Sequence, residues 1–253
     1  MMGLHYEVTG KGEAVVLLHS GYADLRLWDD QFEVLGGKFR VIRYDIRGFG
    51  KSEKPTSSFS NIEDLKELLK NLGIAKAHLI GISMGGSIAI DFTLEYPDSV
   101  ESLILSGASL SGYVSKIDEA SEQRFQAGMS IIKRDKKFDE SIDFLLNSPM
   151  WRQSNPSAHN RLKEMFIDTS LKWILEDKLQ MLNLNAAQRL SEIKKETLII
   201  VGTEDSQQIL EIAGILKSSI AKSRRVNING TGHLPNLDKP KEFNKIIFDF
   251  LKS

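Results

Sequence analysis

Short apolar runs alternate along the chain with segments whose apolar residues recur every three or four positions. Such runs, bounded by glycine or polar residues, are typical of strands buried on both faces of a sheet. They occupy residues 14–18, 39–44, 78–80, 102–105, 197–201 and 225–228, and residues 4–8 predict one further strand near the N-terminus. Because the strands alternate with helical segments, the pattern predicts an α/β fold with a mostly parallel, doubly wound sheet.

Two of the helical segments have clear boundaries. Ser60 and Glu63 have the spacing of a capping box, an apolar stripe follows them, and Gly73 comes after its last residue. A second amphipathic helix is predicted from Pro240 to the C-terminus, with its apolar side available to cover the sheet.

The alternation stops between residues 112 and 186, where the sequence predicts helical segments such as 138–146 and 156–181 and no strand. We therefore predict a core built from residues 1–111 and 187–253, interrupted by a helical insertion at 112–186. No linker rich in proline, glycine or serine flanks the insertion, so we expect it to pack on the core.

Composition and charge exclude several kinds of site. Lys and Arg number 33 against 34 Asp and Glu, a net charge of −1 that provides no basic face for nucleic acid. Cysteine is absent, which excludes disulfides and thiol chemistry, and the five histidines lack metal-ligand spacing. The apolar stretch 79–90 is too short to span a membrane, and no leader is evident, so we expect a soluble, cytoplasmic protein.

The sharpest local signal is the sequence Gly81-Ile82-Ser83-Met84-Gly85-Gly86, which follows a predicted strand and opens a predicted helix. A serine in such a tight turn has a strained backbone and needs small neighbours. Its hydroxyl would stand clear of the sheet beside the N–H groups of the helix. The motif predicts a nucleophile, although a glycine-rich packing turn has the same composition.

A serine nucleophile needs a general base and a carboxylate that orients the base. His233 follows the last predicted strand, and Asp205 follows the strand before it, so both lie at carboxyl ends of strands, where ligands bind. Glu204 is the competing acid. We favour Asp205.

The order Ser, Asp, His resembles the α/β-hydrolase fold superfamily, and two further motifs extend the resemblance. The segment 17–21 (LLHSG) is similar to the family's oxyanion turn, and 45–52 (DIRGFGKS) to its D-x-R-G-x-G-x-S loop. We expect His19 to hold the oxyanion loop, and Asp45 and Arg47 to brace neighbouring loops. The resemblance implies a sheet of seven or eight strands and makes the insertion a helical cap over the active site.

The resemblance also implies the role of each site residue. Ser83 would be the nucleophile, His233 the general base and then acid, and Asp205 the group that orients the imidazole. The backbone N–H groups of Gly21 and Met84 would form the oxyanion hole. Residues expected to contact the substrate are Tyr22, Met129, Trp151, Met165 and Trp173.

These roles predict a serine hydrolase that cleaves a small apolar carboxylic ester through an acyl-enzyme, with no cofactor and no metal, as a monomer or homodimer. The same catalytic residues would also suit the hydrolysis of lactones, thioesters or carbon–carbon bonds, and perhydrolysis. The alternative from another class is a ligand sensor or signalling receptor of the same fold, with slow or single-turnover hydrolysis.

Overall fold

The computed structural model describes residues 3–113, 142, 146–147, 151, 153, 155–168 and 184–252. Within these residues the strands are β1 (Tyr6–Thr9), β2 (Ala14–Leu18), β3 (Arg40–Tyr44), β4 (Ala77–Ile82), β5 (Val100–Ser106), β6 (Thr197–Gly202) and β7 (Ser223–Ile228). The α-helices are α1 (Asp29–Gly36), α2 (Asn61–Asn71), α3 (Met84–Glu95), α4 (Pro156–Asp168), α5 (Gln207–Ser219), α6 (Pro235–Asp238) and α7 (Pro240–Leu251).

The strands form one seven-stranded sheet in the order β1-β3-β2-β4-β5-β6-β7. β1 pairs antiparallel with β3, and every other neighbouring pair is parallel. The central strands β2, β4 and β6 are buried along their whole length, whereas the edge strand β1 alternates between exposed and half-buried residues. The predicted mostly parallel sheet is confirmed, with seven strands rather than eight.

Helices cover both faces of the sheet, as a doubly wound fold requires. In β2, Val16 and Leu18 pack in a cluster with α2, α3 and α5. Val15 and Leu17 point the opposite way and pack with α1 and α7. Successive side chains of a strand point to opposite faces of the sheet. A strand that packs against helices on both faces therefore needs a continuous apolar run.

The helix boundaries follow the capping signals. Ser60 is the N-cap of α2, and its hydroxyl accepts a hydrogen bond from the N–H of Glu63 at 3.4 Å. Gly73 follows the C-cap with φ +66°, a left-handed conformation in which glycine is not strained. The prediction for this helix is confirmed. Helix α7 likewise lies where the apolar periodicity from Pro240 predicts it.

Part of the predicted insertion lies within the described residues, and its helix α4 docks on the core. Helix α4 begins at Pro156, as predicted, and is described to Asp168; residues 169–183 lie outside the described part. Its buried face joins the cluster that contains α1 and α7. Arg161 donates to Asp30 at 2.7 Å, and Arg26 donates to Asp168 at 2.8 Å. The boundaries 112–186 remain a prediction.

The described residues contain no helix that is both long and apolar enough to cross a membrane.

The loop after β3 is organised by the buried carboxylate of Asp45. One oxygen accepts from the N–H of Leu25 at 2.8 Å, and the other from the N–H of Lys51 at 2.8 Å and from His5 Nδ1 at 3.1 Å. Arg47 forms two hydrogen bonds with Asp64, at 2.7 and 2.6 Å. These contacts agree with the bracing role expected for the two residues.

Ser111 and Ala186, at the two ends of the predicted insertion, meet beside the buried carboxylate of Asp91 on α3. The Ser111 hydroxyl donates to Asp91 at 2.8 Å and accepts from the N–H of Ala186 at 3.2 Å. The N–H of Ala187 donates to the carbonyl of Ser111 at 3.0 Å. Burial raises the pKa of Asp91 to about 6, against the hydrogen bond from Ser111 and the charge of Arg189.

Replacing Asp45 with Ala is expected to lower the free energy of unfolding by about 3 kcal/mol, because two backbone N–H groups lose a charged acceptor. Urea unfolding of the variant and the wild type measures the difference. The exposed Asp98→Ala is the control, with an expected change within about 0.5 kcal/mol. Equal losses in the two variants would contradict the bracing role.

The melting temperature of Asp91→Asn, relative to that of the wild type, is expected to increase as the pH rises from about 4 to 8. The pKa of Asp91 is about 6 in the folded state, above the ordinary value of 3.8 for an Asp side chain. The folded state therefore favours the neutral carboxyl, and the wild type loses that contribution as the pH rises through 6, whereas Asn does not titrate. Melting curves of Asp91→Asn and the control Asp98→Asn test this, and a pH-independent difference for Asp91→Asn would contradict it.

Candidate active site

The turn between β4 and α3 places Ser83 in a strained conformation. Its backbone has φ +53° and ψ −116°, outside the regions that residues with a Cβ prefer. A Cβ added at Gly81 would lie 2.3 Å from the carbonyl oxygen of Gly85, and one added at Gly85 would lie 2.3 Å from that of Leu18. The glycines therefore permit the tight turn that the motif predicts.

His233 and Asp205 form a buried pair, as predicted. Nδ1 of His233 lies 2.9 and 3.1 Å from the two carboxylate oxygens of Asp205, and both side chains are 0% exposed. The N–H of Ser206, the N-cap of α5, donates to Asp205 at 2.7 Å and helps to fix the carboxylate. Glu204 is exposed, so the structure pairs His233 with Asp205 and not with the competing acid.

The hydrogen bond to Asp205 determines which imidazole nitrogen carries a lone pair. A carboxylate accepts hydrogen bonds, so Nδ1 is the protonated nitrogen and Nε2 of a neutral His233 is basic. Among the described residues Nε2 has no hydrogen-bond partner, and it is shielded from solvent. The atom that a general base uses is therefore unoccupied by other protein groups.

The end of β5 lies against both the Ser83 turn and the His233–Asp205 pair. The N–H of Ser83 donates to the carbonyl of Ser106 at 3.1 Å, so the turn is tied to the end of β5. The next residue is Gly107, where an added Cβ would lie 3.1 Å from His233 Nδ1 and 3.2 Å from an Asp205 oxygen. This short segment brings the serine turn close to the base.

The predicted oxyanion-hole residues are neighbours. A Cβ added at Gly21 would lie 4.0 Å from Sδ of Met84, the first residue of α3. Within the described part of the chain, neither of the two backbone N–H groups donates to a protein acceptor. Free N–H groups at a helix N-terminus favour negative charge, which is the property an oxyanion hole needs.

His19 supports this loop through both ring nitrogens. Nδ1 lies 2.7 Å from the carbonyl of Ser20, and Nε2 accepts from the N–H of Ile46 at 2.9 Å. Complete burial lowers the pKa of His19, so the ring stays neutral and keeps one donor and one acceptor. These contacts agree with the structural role expected for His19.

Aromatic rings stand next to His233. The ring of Trp151 is perpendicular to the imidazole, with centroids 5.6 Å apart. Tyr22 stacks on Phe166 at 5.7 Å and meets Trp151 edge-on at 6.0 Å. Tyr22 also has φ +64°, a strained conformation for a large residue, and burial raises its pKa, so the phenol stays protonated.

The predicted substrate contacts are therefore only partly brought together. Trp151 lies beside His233, Tyr22 meets Trp151 edge-on, and Met165 is buried in the same hydrophobic cluster as Trp151. Met129 and Trp173 lie outside the described residues. Sequence reasoning missed Phe166, although it lies four residues after Leu162 on the buried stripe of α4, a spacing that marks one helix face.

No group of three or more His, Asp or Glu side chains is placed to hold a metal ion among the described residues.

Comparison with known proteins gives matches over nearly the whole chain. A family model described as the alpha/beta hydrolase fold matches residues 13–240. A 2-hydroxy-6-oxo-6-phenylhexa-2,4-dienoate hydrolase of Comamonas testosteroni is 28% identical over 98% of this chain and 91% of its own length. A 2-hydroxy-6-oxononadienedioate/2-hydroxy-6-oxononatrienedioate hydrolase of Paraburkholderia phymatum is 31% identical over 98% and 90%.

A solved structure agrees with these relatives. A thermophilic esterase from Thermogutta terrifontis matches with a TM-score of 0.80 and 26% identity, covering 98% of this chain and 93% of that one. The family model and both relatives span the serine turn, the acid and the histidine loop within one alignment. The chain therefore belongs to the alpha/beta hydrolase fold family.

Proposed function

We propose that this protein is a serine-dependent hydrolase that cleaves a small apolar carboxylic ester through an acyl-enzyme on Ser83. The observation that carries the proposal is the buried His233–Asp205 pair, whose Nε2 has no hydrogen-bond partner among the described residues. The pair lies beside the end of β5, and the N–H of Ser83 donates to that same strand end. A histidine oriented in this way is suited to remove a proton from a serine hydroxyl.

In the first half-reaction Oγ of Ser83 attacks the ester carbonyl while Nε2 of His233 takes the hydroxyl proton. The carbonyl oxygen becomes an oxyanion, which the N–H groups of Gly21 and Met84 stabilise by hydrogen bonding. Collapse of the tetrahedral intermediate breaks the bond to the alcohol. The imidazolium of His233 returns its proton to the departing alkoxide, and the acyl group stays on Ser83.

In the second half-reaction a water molecule replaces the alcohol. Nε2 of His233 takes a proton from the water, which attacks the acyl carbonyl and forms a second oxyanion in the same hole. Collapse releases the carboxylic acid, and the proton returns to Oγ of Ser83. Asp205 stays ionised throughout and stabilises the imidazolium that forms in each half-reaction.

The surroundings of the pair favour an apolar substrate. The ring of Trp151 contacts His233, and the rings of Tyr22 and Phe166 pack against Trp151. Arg161 on α4 pairs with Asp30, and Arg26, which contacts the end of α4, pairs with Asp24 and Asp168. Aromatic rings, with these two arginines already paired with carboxylates, suit an uncharged ester. The 26% identical esterase supports the same substrate class.

Cleavage of a carbon–carbon bond beside a ketone is the second candidate, and the curated relatives favour it. The 2-hydroxy-6-oxo dienoates that name those relatives contain no ester, so their hydrolysis breaks a carbon–carbon bond next to the 6-oxo carbon. The same serine, histidine and oxyanion hole would serve, with a carbon leaving group in place of an alkoxide. Such substrates also carry a carboxylate that needs a cation or N–H donors.

Ser83→Ala is expected to lower kcat for p-nitrophenyl butyrate by at least about 10³-fold while leaving the melting temperature unchanged, because the nucleophile is lost. A fluorophosphonate probe followed by peptide mass mapping should give one adduct on Ser83 in the wild type. The adduct should be absent from Ser83→Ala and strongly reduced in His233→Ala.

Ser218→Ala is the matched control, since Ser218 is an exposed serine near the end of α5 whose hydroxyl donates to the carbonyl of Ile215. It should label and turn over like the wild type. Normal turnover by Ser83→Ala would refute the nucleophile assignment. A stoichiometric adduct without repeated turnover of any ester would instead favour a ligand sensor.

Substrate choice is expected to favour esters. We expect kcat/KM for p-nitrophenyl butyrate to exceed that for 2-hydroxy-6-oxo-6-phenylhexa-2,4-dienoate by at least about 100-fold, about 2.7 kcal/mol of transition-state stabilisation. Release of p-nitrophenol and loss of dienoate absorbance measure the two rates on the same preparation. The reverse preference, abolished by Ser83→Ala, would select carbon–carbon bond hydrolysis.

A further inference from the structure

We infer that Trp151 is a positioning residue that holds the imidazole of His233 in the orientation needed for proton transfer; this inference rests on the proposed function. The indole and imidazole rings are perpendicular, at 89°, with centroids 5.6 Å apart. Trp151 is contributed by the predicted cap, whereas His233 belongs to the core. The catalytic base is therefore completed by a side chain from outside the α/β core.

The other contacts of His233 leave this role open. Asp205 holds the Nδ1 edge of the imidazole through its hydrogen bonds, and the backbone of Gly107 lies close to the same edge. Nε2 is at the opposite edge and has no hydrogen-bond partner among the described residues. A ring tied at one edge can rock about that edge, and packing from the side is what limits the motion. Trp151 supplies that packing.

The contact also shields from water the charged state that forms during catalysis. When Nε2 takes the proton of Ser83, the imidazole becomes a cation inside a site where the His233 and Asp205 side chains are 0% exposed. Trp151 is itself only 6% exposed, so it excludes water from this side of the pair.

Trp151 is held firmly enough to position another group. Its ring meets Phe166 at 5.2 Å and 77°, and Tyr22 packs against both rings. Gln153 Nε2 donates to the Trp151 carbonyl at 3.2 Å. Phe166 lies on α4, which the ion pairs of Arg161 and Arg26 fasten to the core. The position of the imidazole is thereby linked to the docking of α4.

The test compares Trp151→Leu and Trp151→Phe with the wild type on p-nitrophenyl acetate, butyrate and octanoate. We expect Trp151→Leu to lower kcat about 10- to 30-fold for all three esters alike, with KM changed less than about 3-fold. Trp151→Phe keeps an aromatic ring beside His233 and should retain kcat within about 3-fold. Melting temperatures of the variants confirm that both are folded.

Two results would overturn the inference. A change in KM that grows with ester length, at constant kcat, would make Trp151 a wall of the substrate pocket and no more. Equal kcat in Trp151→Leu and the wild type would also refute the positioning role while leaving the proposed function intact. If the wild type hydrolyses no ester and takes no adduct on Ser83, the proposed function fails and the inference fails with it.

Discussion

The active end of this molecule depends on backbone segments that approach more closely than any side chain would allow. A Cβ at Gly85 would clash with the carbonyl of Leu18, and one at Gly202 would lie 2.2 Å from the carbonyl oxygen of Gly232. The first approach sets the serine turn against β2, and the second sets the end of β6 against the histidine loop. Four separate chain segments converge at one edge of the sheet because glycine at these positions lets their backbones touch.

That convergence allows the site to bury the Asp205 carboxylate beside His233. Isolated burial of a carboxylate is costly, and it is tolerated where hydrogen bonds replace lost water. The Nδ1–H of His233 donates to Asp205, with 2.9 and 3.1 Å from Nδ1 to the two carboxylate oxygens, and the N–H of Ser206 donates to the same carboxylate. At Asp91, where the Ser111 hydroxyl donates to the carboxylate, burial raises the pKa to about 6.

Most of the fold and the core of the site could be predicted from the sequence, because both depend on local signals. The apolar run 14–18 coincides with β2, and the glycine spacing around Ser83 already implies a strained turn. The strand ends placed His233 and the acids at 204 and 205 at one edge of the sheet, and the family resemblance favoured Asp205 over Glu204. Phe166 was not predicted because its contacts with Tyr22 and Trp151 join segments far apart in sequence. An apolar stripe on a helix predicts that its residues are buried, but it does not indicate which neighbour buries them.

The arrangement of these groups also explains why family membership indicates a mechanism more firmly than a substrate. The Ser83 turn, Asp205, His233 and the N–H groups of Gly21 and Met84 all follow the carboxyl ends of strands, a position that can carry different chemistry on one fold. Trp151 contacts His233, and Tyr22 and Phe166 pack against Trp151. Trp151 and Phe166 belong to the predicted insertion, so a change of residue there alters these surroundings while the sheet stays intact. Relatives named for dienoates and for esters can therefore share one core.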